Sequence, residues 1–133
     1  MAIGKGALSS SSNLHGVSVL VVEDGWQVAD ALKISLEKMG MVVAGPVATA
    51  LEAQCLATAC PPDLAVVDVN LKGEMAYALM DWLHDRNIRV VVITGYEDLP
   101  GSLAKFAAIL HKPFTTTKLL TTLRRVMGRI PTP

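Results

Sequence analysis

The chain has 133 residues, of which 51% are hydrophobic and 18% are charged, and its 12 Lys and Arg balance 12 Asp and Glu. The length fits one domain, the composition excludes a largely disordered chain, and the lack of a basic excess argues against direct nucleic-acid binding. Its apolar runs are far shorter than the roughly 18–20 residues that cross a bilayer, so we expect a cytoplasmic protein outside the membrane.

The two ends of the chain differ from its body. Residues 1–15 are rich in Gly, Ser and Asn without periodicity, which predicts a flexible leader, and residues 131–133 predict a frayed tail. No repeat or linker separates these ends. We therefore expect one domain over residues 16–130.

The first half of the body predicts two strands and two helices. The run VSVLVV at 17–22 is short, apolar and β-branched, as in a strand. Apolar residues recur at helical spacing over 26–39, before a glycine that favours a stop. Residues 41–47 predict a second strand, which Pro46 confines to a sheet edge, and residues 49–59 predict a second helix.

The second half predicts three more strands and two more full helices. In chain order these are a strand at 63–69, a helix at 75–86, a strand at 89–94, a strand at 107–111 and a helix at 115–127. Only about six residues near 102–107 can form a helix between the last two strands. Apolar strands alternating with helices predict an α/β, flavodoxin-like, doubly wound five-stranded parallel sheet, order 2-1-3-4-5, with a shortened fourth helix.

Large and sulfur-containing side chains are expected to fill the core. We count Trp26, Trp82 and the six methionines among them. Cys55 and Cys60 lie in a predicted helix and, five residues apart, point to different faces, which suits neither a disulfide nor a zinc site. They are predicted to be buried free thiols.

Polar residues stand at four strand ends. Glu23 and Asp24 follow the first strand, Asp68 lies near the end of the third, Thr94 ends the fourth, and Lys112 follows the fifth. Strands one, three, four and five are neighbours in the predicted order, and ligands bind at the carboxyl ends of such strands. The five side chains should therefore converge on one rim of the sheet.

Three carboxylates in one place need a cation. At an effective dielectric near 20, each close pair costs about 4 kcal/mol at 4 Å. Oxygen ligands without His or Cys select a hard ion, and Mg²⁺ fits because it leaves positions open for a phosphoryl oxygen. We predict Glu23, Asp24 and Asp68 as its ligands, with the backbone carbonyl of Asn70 as a further one.

The same residues suit phosphoryl transfer to a carboxylate. Such a reaction needs in-line positioning and neutralisation of the phosphoryl oxygens more than covalent help. Asp68 is the predicted nucleophile because it lies on the central strand. The ammonium of Lys112 and the hydroxyl of Thr94 would contact the phosphoryl oxygens that the metal leaves free.

The segments VLVVED, DLAVVDVN, VVITG and HKPF resemble the marker segments of response regulator receiver domains, over residues 16–128. The resemblance implies that Glu23 and Asp24 hold magnesium, that Asp68 accepts the phosphoryl group, and that Thr94 is the switch hydroxyl. It also implies a lysine, Lys112, before a cis-type Pro113. The expected donor is a phosphohistidine on a sensor histidine kinase or histidine phosphotransfer protein, and the expected output is binding to a downstream protein, with a homodimer as an option.

The sequence departs from the family pattern in the parts that spread the signal. Ile109 stands where a Tyr or Phe is usual, and the stretch between Thr94 and Lys112 is short. VDVNLKGEMAY with ITGYEDLP resembles the single-domain "FAT GUY" subfamily. Tyr96 is a candidate substitute for the missing aromatic switch, against the alternative of a surface tyrosine without a signalling role.

Other functions compete with a non-enzymatic phosphoacceptor that promotes only its own transfer and slow autodephosphorylation. A magnesium-dependent aspartyl-phosphate phosphohydrolase usually needs an acid two residues after the nucleophile, where this chain has Asn70. A flavin-binding protein of the same fold needs a phosphate loop after the first strand, where Glu23 and Asp24 would repel the anion. A phosphorylation-independent pseudo-receiver would typically lack these acids.

Overall fold

The computed structural model of the chain describes residues 14–96 and 100–128. Its main sheet has five parallel strands in the order β2-β1-β3-β4-β5. The strands are β1 (Ser18–Val22), β2 (Val42–Val47), β3 (Leu64–Asp68), β4 (Arg89–Thr94) and β5 (Ala108–His111). The predicted flavodoxin-like fold and its strand order are confirmed.

In the described residues, three α-helices and two smaller elements lie between the strands, and a fourth α-helix follows the last strand. The helices are α1 (Trp26–Lys38), α2 (Ala50–Ala59), α3 (Tyr77–Asp85) and α4 (Thr116–Gly128). A 3₁₀ turn, Gly101–Lys105, is the only helical element in the described residues between β4 and β5, so the predicted shortening there is confirmed. After β3, residues 70–71 and 74–75 pair as a small antiparallel hairpin, here called the 70–75 hairpin.

Both faces of the sheet are buried, which explains why its strands are apolar throughout. Val19 and Val21 of β1 face the layer that α1 and α4 cover, whereas Leu20 and Val22 face the layer of α2 and α3. β3 is buried at all of its five positions. Since successive side chains alternate between faces, a sheet covered on both sides requires apolar residues at every position.

β2 is an edge strand, as Pro46 predicted. Its pairing with β1 shifts register between Leu20 and Val22, opposite Gly45 and Pro46. Proline has no N–H to donate to a neighbouring strand, so it is tolerated at an edge or an irregularity.

The packed part of the chain reaches further toward the N-terminus than residue 16. Leu14, which we assigned to the leader, is fully buried in the layer of α1 and α4. The backbone N–H of Gly16 also donates to the carbonyl of Gly40 at 2.7 Å. Residues 1–13 and 129–133, which include most of the leader and the predicted tail, lie outside the described residues.

Some predictions of burial were wrong. Trp26 is 75% exposed because it begins α1 at the sheet's rim, beyond the core that Ala29 and Leu32 enter. Cys55 and Cys60 are free, but both are exposed. On α2 the buried face is formed by Ala53 and Ala57, so Cys55 points away from it.

Met75 was also wrongly placed in the core. It belongs to the 70–75 hairpin, ahead of the first residue of α3, and is 44% exposed.

Among the described residues, no helix is long and apolar enough to cross a membrane.

Candidate functional site

The sheet's carboxyl edge gathers the residues predicted from the strand ends. Asp68 and Thr94 are the last residues of β3 and β4, which pair directly. Glu23 follows β1 on the other side of β3, and Lys112 follows β5 beside β4. Parallel strands in this order bring all four positions to one rim.

The three acids form one cluster. Glu23, Asp24 and Asp68 each offer a carboxylate oxygen, and these oxygens lie within 4.8 Å of one another. Glu23 and Asp68 are only 4% and 5% exposed, whereas Asp24 is half-buried. Carboxylates this close together in a partly buried site repel one another, and the site requires positive charge to neutralise them.

Lys112 supplies one positive charge. Its Nζ donates to Asp68 Oδ2 at 2.7 Å and lies 3.2 Å from Glu23 Oε1. Burial alone would lower the pKa of Lys112, but the contacts with Asp68 and Glu23 outweigh it and raise the pKa above its ordinary value. Its backbone N–H donates to the carbonyl of Thr94 at 2.7 Å, and its peptide bond to Pro113 is cis.

The single ammonium of Lys112 does not neutralise all three carboxylates, and the contacts and pKa of Glu23 reflect this excess of negative charge. Its Oε2 accepts a hydrogen bond from the Gly25 N–H at 3.0 Å, while its buried Oε1 accepts none within the described part of the chain. Burial raises the pKa of Glu23, and the nearby Asp68 adds to the rise against the opposing Gly25 and Lys112. A buried carboxylate oxygen that has one ion-pair contact, with Lys112, and no hydrogen bond fits, within an all-oxygen set, a hard divalent cation such as Mg²⁺.

Thr94 and Tyr96 form a second group of hydrogen-bonded residues at the rim, beside the acid cluster. Thr94 is fully buried, and its Oγ1 accepts from the Tyr96 N–H at 2.9 Å. The phenol oxygen of Tyr96 in turn accepts from Asn70 Nδ2 at 2.7 Å. The Asn70 N–H donates to Asp68 Oδ1 at 3.0 Å, so a chain of hydrogen bonds runs from Asp68 to Tyr96.

The 70–75 hairpin was not predicted from the sequence. Lys72 and Gly73 have φ values of 53° and 85°, both in the left-handed region. A two-residue turn with both residues in the left-handed region matches the right-handed twist of the two strands that it joins in a hairpin. The Lys-Gly pair between Leu71 and Glu74 is the only local signal, and a helix was expected from residue 75 instead. The hairpin lies against the acids, because the Lys72 N–H donates to Asp24 Oδ2 at 2.7 Å.

The two remaining predicted residues, Ile109 and Pro113, lie before and after Lys112 in the chain. Ile109 is half-buried on β5, pairs with Val92, and packs against the layer of α2 and α3. Ile109 and Pro113 both line a groove of about 380 Å³ between β5 and the start of α4. No contact among the described residues places Ile109 at the acid cluster.

Several solved structures share this fold. A receiver domain (CheY-like) from Methylobacillus flagellatus is 24% identical, with a TM-score of 0.75 over 84% of this chain and 98% of that one. The PhyR receiver domain of Erythrobacter litoralis is 23% identical, with a TM-score of 0.81 over 90% and 96%. The response regulator PhyR of Brucella abortus is 22% identical, with a TM-score of 0.77 over 94% of this chain but 53% of its own.

Comparison with curated protein sequences gives no match. The sequence profile of the response regulator receiver domain, in contrast, matches residues 19–124, which is most of the chain and includes all the strand ends described above. The chain therefore belongs to the family of response regulator receiver domains.

Proposed function

We propose that this receiver domain accepts a phosphoryl group on Asp68, with Mg²⁺ beside it, and that this modification switches binding to a partner protein. The domain would act in a two-component or phosphorelay system. The observation that carries the proposal is the meeting of Glu23, Asp24 and Asp68 within 4.8 Å, with Lys112 2.7 Å from Asp68.

The side chains of Glu23, Asp24 and Asp68 would hold the ion, with the backbone carbonyl of Asn70 as a further ligand. Bound there, Mg²⁺ would supply positive charge to the phosphoryl oxygens. The Oε1 of Glu23 supports this assignment, because it is buried and has the ion pair with Lys112 at 3.2 Å but accepts no hydrogen bond among the described residues, and a buried acceptor left unsatisfied is costly.

In the transfer itself, a carboxylate oxygen of Asp68 attacks the phosphorus of a phosphohistidine. An O–P bond forms, the P–N bond breaks, and its electron pair returns to the imidazole of the donor. The Lys112 ammonium and the Thr94 hydroxyl stabilise the charge on the phosphoryl oxygens. We propose no other substrate: the domain promotes its own phosphorylation and a slow hydrolysis of the acyl phosphate.

Intact mass after incubation with acetyl phosphate tests this proposal. With millimolar Mg²⁺ we expect the chain to gain the mass of one phosphoryl group, and the gain to vanish on metal removal or in Asp68→Asn. Asp30→Asn, an exposed position on α1, should keep it. An unchanged mass at millimolar Mg²⁺ would instead favour a phosphorylation-independent binding module.

The phosphoryl donor would be a sensor histidine kinase or a histidine phosphotransfer protein. For the downstream partner we propose the surface of β5 and α4, residues about 107–127, whose groove of about 380 Å³ is already formed. One structural neighbour, from Bartonella quintana, is described as the anti-anti-sigma factor PhyR, and it is 19% identical over 54% of its length. Binding to a downstream protein, a place in the "FAT GUY" subfamily and a homodimer all stay predictions for this chain.

We propose Tyr96 as the switch residue in place of the aromatic missing at Ile109. Its phenol oxygen accepts from Asn70, which donates to Asp68, and its backbone N–H donates to Thr94. A phosphoryl group on Asp68 would therefore act on Tyr96 through Asn70 or Thr94. A local change of charge can bias a two-state loop in this way.

Tyr96→Phe removes only the oxygen that Asn70 contacts. A neutral hydrogen bond of this kind contributes about 1 kcal/mol, so amides of residues 70–73 should exchange roughly fivefold faster in the unmodified variant. Hydrogen exchange with and without phosphorylation measures this, and the difference between the two states should shrink. Tyr77→Phe, on α3, is the control. Equal exchange rates in wild type and Tyr96→Phe would show that Tyr96 is not part of the switch.

A further inference from the structure

We infer that the backbone N–H of Lys72 is a positioning group for Asp24, holding this carboxylate in place for the metal. The inference rests on the proposed magnesium site and adds to it a residue that is not one of the proposed metal ligands. The Lys72 nitrogen lies 2.7 Å from Asp24 Oδ2, although 48 positions separate the two residues in the chain. A hydrogen bond to a carboxylate is among the stronger ones in proteins.

The turn that carries this N–H is fixed on both sides. Asn70 pairs with Met75 and Leu71 with Glu74, so the two arms of the hairpin hold each other. The Gly73 N–H donates to Asn70 Oδ1 at 2.9 Å, and Asn70 itself donates to Asp68. The direction of the Lys72 N–H is therefore set by the hairpin.

Asp24 needs such a restraint more than its two neighbours do. Glu23 is held by Gly25 and Asp68 by Asn70 and Lys112, and both are buried. Asp24 is half-buried, and among the described residues the Lys72 N–H is its one hydrogen-bond donor. Repulsion from two nearby carboxylates would favour rotation of an unrestrained Asp24 toward water.

Hydrogen-bond partners of metal ligands commonly alter metal affinity about 10–100-fold when they are removed. Here the donor is the backbone nitrogen of Lys72, and the side chain of this residue is exposed. We therefore expect Mg²⁺ affinity to depend little on the side chain at position 72 and strongly on the backbone N–H of this residue.

The first test compares Lys72→Pro with Lys72→Ala by calorimetric titration of the whole chain with Mg²⁺. Proline lacks the N–H and cannot adopt the left-handed φ of 53°, whereas alanine keeps the N–H. We expect about tenfold weaker Mg²⁺ binding in Lys72→Pro and a change of less than about twofold in Lys72→Ala.

Because proline disturbs the whole turn, a second variant replaces the Lys72 residue by its α-hydroxy analogue, which exchanges the N–H for an ester oxygen. This variant keeps the side chain and the turn, and we expect roughly three- to tenfold weaker Mg²⁺ binding with little change in metal-free melting temperature. In an Asp24→Ala background, with Mn²⁺ as the probe if Mg²⁺ binds too weakly, the ester should have no further effect.

The outcomes separate this inference from the proposal on which it rests. If the wild-type chain binds no Mg²⁺, both fall. If wild type binds and the ester variant binds equally well or more tightly, the positioning role alone is wrong. An equal loss in the Asp24→Ala background would likewise overturn it, because the N–H would then act by another route.

Discussion

Replacement of Lys112 by methionine is expected to slow the phosphorylation of Asp68 by acetyl phosphate at least about 100-fold. The reason is that the Lys112 ammonium lies 2.7 Å from Asp68 and is, among the described residues, the one cation in contact with the cluster. A preorganised donor of this kind acts where charge gathers on the phosphoryl oxygens. The measurement is the time course of the mass gain at saturating Mg²⁺.

The same variant should be less stable without metal, since three carboxylates lose their counter-charge. We expect a loss of about 2 kcal/mol in the free energy of unfolding, less than for a fully buried pair because 31% of the Lys112 side chain is exposed. Lys118→Met, on the exposed face of α4, is the matched control and should change neither quantity. A phosphorylation rate within a few-fold of wild type would refute the role of Lys112.

Glu23→Gln should have opposite effects on stability and on metal binding. Without metal the free energy of unfolding at neutral pH is expected to rise by about 1 kcal/mol, because one of three crowded charges is removed. Mg²⁺ affinity is expected to fall at least about tenfold, because one ligand loses its charge. Chemical denaturation and calorimetric titration measure the two effects.

The pH dependence follows from the raised pKa of Glu23, which burial causes. A carboxyl whose pKa is higher in the folded state gives a stabilising contribution that is complete below the unfolded pKa and is lost as pH rises through the folded pKa. Metal-free wild type should therefore lose stability as pH rises from the unfolded pKa of Glu23 through its higher folded pKa, and Glu23→Gln should lose less stability over the same pH range. Glu37→Gln, exposed on α1, is the control. The same pH slope in wild type and Glu23→Gln would contradict this assignment.

The strands and the convergence of the site were predictable because both depend on patterns that burial imposes. A parallel sheet covered on both faces needs continuous apolar strands, and β3 and β4 show them. Once the order 2-1-3-4-5 was set, the positions of Asp68, Thr94 and Lys112 at one rim followed from topology alone.

The errors concern contacts that no short pattern encodes. Trp26 fits the helical spacing of α1, but the helix begins where the core has already ended. Leu14 lies in a polar, glycine- and serine-rich stretch and is nevertheless buried. The bonds of Lys72 to Asp24 and of Asn70 to Tyr96 join separate loops, and such pairs follow only from coordinates.

A crystal structure of the chain with Mn²⁺, located by its anomalous scattering, and with beryllium fluoride in place of the phosphoryl group would examine the shared site itself. We expect one ion at ligand distance from oxygens of Glu23, Asp24 and Asp68, and a beryllium fluoride group on Asp68 in contact with Lys112 and Thr94. An ion bound away from these three carboxylates, or Lys112 turned away from the fluoride group, would contradict the proposed chemistry.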